Sequence, residues 1–110
     1  MELDSFNRVG GVRIGRLNAT FPLATLTCNR NELTINVMWL ISIKKYTFQP
    51  QQVISIAPYT SIPLIGWGIQ IRHTVLDYNS FFVFWCLLRS PSKLAEQIQA
   101  IGFIPQGKDS

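Results

Sequence analysis

Leu23-Ala24-Thr25-Leu26-Thr27-Cys28-Asn29-Arg30-Asn31-Glu32-Leu33-Thr34-Ile35-Asn36-Val37 is the stretch that decides the fold of this chain. Its apolar residues recur at every second position. Ala24, Leu26 and Cys28 share one face. Leu33, Ile35 and Val37 do the same after the turn, with Thr34 and Asn36 opposite. A period of two is the signature of a strand with one buried face. Asn29-Arg30-Asn31-Glu32 supplies turn residues between the two runs, because Asn tolerates turn backbone. Two alternating runs around such a turn predict an antiparallel hairpin.

The same reading extends outward. Val12 to Asn18 is a first strand, with Gly15 as a bulge or close-approach point. Residues 1–11 before it form a polar, flexible lead-in. Leu40 to Phe48 is a fourth strand whose phase changes, since Ile41 and Ile43 have one parity and Tyr46 and Phe48 the other. A β-bulge at Lys44-Lys45 would return all four to one face. Gln52 to Ala57 is a fifth strand, with Ile54 and Ile56 inward. Gly68 to Val75 is a sixth, with Ile69, Ile71, His73 and Val75 on one face. Phe81 to Leu88 is a seventh and is apolar at both parities, so both of its faces are covered.

The period then switches. Leu94, Ile98 and Ile101 recur at four and three residues, which predicts a helix over Pro91 to Ile101. Ser90 or Ser92 caps its start, and Pro91 suits the first helical position. Gly102 stops it, and Phe103 packs back on the last turn. So short a helix must dock its apolar stripe on the sheet. Residues 104–110 read as a flexible tail, which leaves one domain over 12–103.

Bulk numbers narrow the function classes. The chain has 110 residues, 47% of them hydrophobic, enough for one cored domain. Charged residues are 15%, against about 25% in an average domain, so the surface is lightly charged. Ten Lys and Arg against six Asp and Glu give +4. Only Lys44 and Lys45 are adjacent cations, so no basic stripe suited to nucleic acid forms. Cys28 and Cys86 lie too far apart for a metal knuckle or a redox pair. Both read as reduced thiols of a cytoplasmic protein. The densest apolar run, Phe81 to Leu88, is far short of the roughly 20 residues a membrane helix needs.

Seven short strands followed by one amphipathic helix predict a mainly β fold, a partly open antiparallel barrel capped by a C-terminal helix. A split-barrel or lipocalin-like closure is the structural alternative. The order, with Thr20-Phe21-Pro22-Leu23-Ala24 leading into a strand, the Gly68-Ile69-Gln70-Ile71-Arg72-His73 strand and the final Phe103, resembles the pleckstrin-homology-like (PH-like) superfold, including its GRAM-like and small bacterial members. The resemblance spans Val12 to Phe103 and implies binding of protein, peptide or phosphoinositide. The basic cluster that phosphoinositide binders carry between strands one and two is absent or much reduced here, where Leu17-Asn18-Ala19-Thr20-Phe21-Pro22-Leu23 stands.

No residue pattern supports catalysis. His73 is the only histidine and has no carboxylate or thiol at triad or metal spacing. Gly66-Trp67-Gly68 lacks the Lys-Ser/Thr of a phosphate loop. No metal or cofactor is expected. The expected function is a non-enzymatic interaction module that binds protein or peptide or self-associates as a homo-oligomer. The alternative is a peripheral module with weak contact to anionic membranes. The expected interaction surface is Trp67, Leu64, Ile65, Trp39, Lys44, Lys45 and Arg72, where apolar side chains at loops or strand ends meet cations. A small enzyme or ligand carrier using His73 at the barrel mouth is a third reading.

Overall fold

The computed structural model describes residues 4–39, 42–59, 68–86 and 91–108. Its strands are β1 (Ser5–Ile14), β2 (Leu17–Asn29), β3 (Leu33–Trp39), β4 (Ser42–Phe48), β5 (Val53–Tyr59), β6 (Gly68–His73) and β7 (Phe82–Trp85). A 3-10 turn at Pro50–Gln52 precedes β5, and helix α1 (Pro91–Ala100) follows β7. The strands form one antiparallel sheet in the order β4-β3-β2-β1-β7-β6-β5, curled into a half-barrel. Two meanders, β1 to β4 and β5 to β7, are joined where β1 pairs with β7.

The hairpin expected over Leu23 to Val37 is present. Ala24 pairs with Val37, Leu26 with Ile35 and Cys28 with Leu33, and all six are fully buried. Asn29 closes the turn itself, its Oδ1 accepting the N–H groups of Asn31 and Glu32 at 2.7 and 2.8 Å. Leu94, Ile98 and Phe103 complete the core from α1 and the residues after it. The helix rests on β5 and β6.

Three expectations are corrected. First, β1 begins at Ser5 rather than Val12, and β2 starts at Leu17. The first turn is at Gly15–Arg16, where Gly15 has φ of +59°, a backbone region that favours glycine. Residues 5–11 are therefore strand and not a loose lead-in; Phe6 and Val12 both reach the core. Second, β3 and β4 pair in unbroken register from Leu33–Phe48 to Trp39–Ser42, so no bulge stands at Lys44-Lys45. Ile43 points away from the core and is 70% exposed. The register instead shifts between Gly10 and Val12 on β1 and between Val53 and Ser55 on β5. Third, residues after Phe103 are tied down, since Gln106 and Gly107 donate backbone N–H groups to the carbonyls of Pro50 and Val53, each at 2.8 Å.

Both parities of β7 are buried, as its composition required. Phe82 and Phe84 face the core, while Val83 and Trp85 are buried outside it.

Candidate functional site

Three of the exposed large apolar residues, Leu23, Met38 and Ile43, lie together on the outer face of β2, β3 and β4, while Val9, Leu17, Phe21, Leu76 and Ile104 are exposed elsewhere. Over the last part of β2 the core residues are Ala24, Leu26 and Cys28, so Leu23, Thr25 and Thr27 face outward. On β3 the outward set is Thr34, Asn36 and Met38, and on β4 it is Ile43, Lys45 and Thr47. Met38 pairs with Ile43 across β3 and β4. Because Ala24 pairs with Val37, the antiparallel ladder sets Leu23 beside Met38. Leu23, Met38 and Ile43 thus form one cross-strand row. Their exposure rises from 37% through 54% to 70% toward β4, which ends the sheet. The next row is Thr25, Asn36 and Lys45. It places an exposed cation directly beside the apolar row. Side chains in such rows touch and act as a unit.

The expected surface residues divide. Trp39, Lys44 and Lys45 come together on the β3–β4 hairpin, but on different faces. Trp39 is half-buried against the core, and Lys44 stands with its Nζ 5.8 Å from the centre of the Tyr46 ring. Only Lys45 projects outward. Arg72 is exposed on the outer face of β6, opposite Ser55, and four strands separate it from β4 in sheet order. Trp67, Leu64 and Ile65 lie outside the described residues. The residues missed from sequence are Leu23 and Ile43. Uninterrupted alternation through β4 places Ile43 on the outer face, opposite in phase to Tyr46 and Phe48.

Tyr46 shows how the inside of the hairpin is organised. Burial raises its phenol above the ordinary value; a hydrogen bond with Trp39 opposes this, and Tyr78 adds to it. Burial alone pushes the Cys28 thiol up to about 12. It packs as an inert apolar group.

His73 lies at the rim. Its Nδ1 accepts the Val75 N–H at 3.1 Å, which leaves Nε2–H to donate to the Asn79 carbonyl at 2.9 Å. The ring rests against Phe48, centroids 5.0 Å apart. Both ring nitrogens are committed to backbone, so the imidazole holds the Val75–Asn79 turn to the sheet. Among the described residues, no three His, Cys, Asp or Glu side chains cluster to hold a metal.

A cleft of about 620 Å³ opens at the barrel mouth, where Arg16 from the first turn meets Lys44, Tyr46, Asp77 and Tyr78. Leu17, the first residue of β2 and part of the cleft lining, is 59% exposed, and Leu76, in the turn just before Asp77, is 98% exposed. A second, apolar groove of about 350 Å³ runs between β5 and α1, lined by Ile54, Ile56, Ala95 and Phe103. Ile54 and Ile56 therefore face the helix and stay half-buried.

No protein-family model, curated protein or solved structure matches the chain. No described helix is long and apolar enough to cross a membrane.

Proposed function

We propose that this chain is a non-enzymatic interaction module of PH-like type, which binds a protein or peptide through the outer face of β2, β3 and β4. The observation that carries the reading is the row Leu23, Met38 and Ile43, exposed side by side up to the sheet edge. Single exposed apolar residues are ordinary, but a contiguous row beside a polar border has the composition of a contact surface. The commitment of both His73 nitrogens to backbone supports a binding role over a catalytic one. The half-barrel with a docked C-terminal helix supports the PH-like assignment by architecture. The test is affinity capture with the wild-type chain and with Ile43→Glu. A partner held by the first and lost by the second supports the reading. Partners indifferent to the substitution overturn it.

One observation favours a second reading, contact with anionic membrane. Exposed Leu17 lines the barrel mouth with Arg16 and Lys44, and exposed Leu76 directly precedes Asp77 of the same cleft. Apolar tips beside cations suit an anionic interface, at about 1 kcal/mol per well-placed charge. Co-sedimentation with anionic and neutral vesicles at low and high salt tests it. Binding to anionic vesicles that Arg16→Glu abolishes is the expected result, and equal recovery with and without vesicles removes it.

A further inference from the structure

We infer that the outer edge of β4 takes up an extended segment of a partner protein as an added strand at Ile43 and Lys45, and that it selects a segment carrying an acidic residue two places from an apolar one. This rests on the interaction reading above and gives it a mode and a chemistry.

The two edges of the sheet are not alike. β5 has α1 packed against it and receives the N–H of Gly107 on the Val53 carbonyl. β4 ends the sheet at the other side, and no described strand pairs with its far edge. Which backbone groups face outward follows from one hydrogen bond. The Thr47 N–H donates to the Tyr78 hydroxyl at 3.0 Å, so it points away from β3. In an antiparallel ladder, alternate residues present both N–H and C=O to the same side. Ile43 and Lys45 share that phase with Thr47 and point their backbone groups outward. Ser42, Lys44 and Tyr46 bond to β3 instead. A row of outward N–H and C=O groups is a template for another strand. Tyr78 closes the row at Thr47, so among the described residues the open run is Ile43 and Lys45.

The side chains define the occupant. Ile43 and Lys45 are both exposed and project from the same outer face. The strands β2, β3 and β4 contain no Asp or Glu, so the surrounding sheet supplies no anion to Lys45. A strand laid alongside places two residues, two positions apart, against Ile43 and Lys45. An apolar residue extends the Leu23-Met38-Ile43 row, and a carboxylate answers Lys45. A second copy of this chain fits badly. Antiparallel pairing centred on Lys45 sets Lys45 against Lys45, and pairing centred on Lys44 sets Lys44 against Lys44. Like charges directly opposite are destabilising. Centring on Ile43 leaves Lys45 without an anion.

The probe is an end-blocked octapeptide in which valine and glutamate take turns at every second position with threonine between them, so that one face carries both. It is compared with the counterpart carrying lysine for glutamate, each titrated into the isotope-labelled full chain. The glutamate peptide is expected to shift the Ile43 and Lys45 amide signals and slow their hydrogen exchange, leaving Lys44 and Tyr46 unchanged. The lysine peptide should bind about three- to tenfold more weakly. Lys45→Glu should invert that order. Ile43→Pro removes one outward N–H without touching the β3 ladder, which an edge strand tolerates, and should abolish binding. If Ile43 and Lys45 are protected by neither peptide, the inference falls. Perturbation confined to Leu23 and Met38 also overturns it, while leaving the interaction reading intact. Protection of Ile43 and Lys45 that grows with protein concentration, without peptide, assigns the edge to a second copy and overturns the acidic segment.

Discussion

The Tyr78 hydroxyl accepts the backbone N–H of Thr47 at 3.0 Å and so joins the turn before β7 to the edge strand β4. The Tyr78 ring stands edge-on to Tyr46 and Phe48, with centroids 5.1 and 5.3 Å apart. One residue thus packs inside the mouth and caps the edge. Tyr78→Phe keeps the ring and deletes the acceptor. It should lower stability by about 1 kcal/mol, seen as a lower denaturant midpoint at unchanged slope. Exchange of the Thr47 amide should quicken at the same time. An unchanged midpoint and unchanged exchange would show that the bond contributes nothing.

Gly11 and Trp85 are direct partners across β1 and β7. A Cβ on Gly11 would lie 2.4 Å from the indole Cζ2 and 2.7 Å from the Ala19 carbonyl oxygen. The second obstacle is backbone and has no rotamer to escape into. Gly11→Ala should therefore cost about 1–3 kcal/mol or more, with altered tryptophan emission. Val9→Ala, at an exposed position of the same strand, should stay within about 0.5 kcal/mol. Equal effects of the two would refute the close approach.

Cys28 sets an alkaline limit. Its thiol is raised from an ordinary 9.0 to about 12 by burial. Above about pH 9 the unfolded chain sheds this proton while the native chain keeps it. The unfolded state then binds fewer protons, so stability falls as pH rises from 9 toward 12 and is fully present below 9. Cys28→Ala should flatten that part of the profile. At neutral pH, alkylation of Cys28 should proceed only at the rate of unfolding; fast labelling in the native state would contradict its burial.

How much of this was legible varies with the residues. Leu23 to Val37 could be read because each face is of one kind. Ser5 to Gly11 could not, since Ser5, Asn7 and Arg8 are polar and Gly10-Gly11 resembles a loop, although Gly11 is small because Trp85 lies against it. Ile43 misled because periodicity assigns a residue to a face and says nothing of whether that face is covered. The row Leu23, Met38 and Ile43 is non-local. Only the register of two ladders makes neighbours of residues scattered over three strands. The cations suffered the same ambiguity: Lys44 and Lys45 are adjacent in sequence and lie on opposite faces of β4.

His73 is a structural group by its contacts. His73→Ala would leave the Val75 N–H and the Asn79 carbonyl without this partner and remove a ring from Phe48. The expected cost is about 1–3 kcal/mol in denaturant unfolding. Binding of the valine–glutamate peptide at β4 should be unaffected once the variant is folded. A loss of affinity at full folding would give His73 a part in recognition.

Ile43→Thr separates the two registers of β4 and the two roles of the row. With a bulge, Ile43 would sit in the core, and its truncation would cost at least 1 kcal/mol, about the scale of a buried aliphatic loss. In the unbroken register it is 70% exposed and threonine is a good strand residue, so stability should stay within about 0.5 kcal/mol. Ile35→Thr, fully buried on the inner face and three residue pairs along the β3–β4 ladder, should destabilise by several times more because it adds a hydroxyl to a dry core. Partner affinity should respond in the opposite sense. Ile43→Thr removes apolar contact at the edge and should weaken capture without loss of fold, whereas Ile35→Thr can act on binding only by unfolding the sheet. Denaturation curves and binding isotherms on the same two variants resolve this. If Ile43→Thr destabilises the chain as much as Ile35→Thr, the register, the exposed row and the edge site fall together.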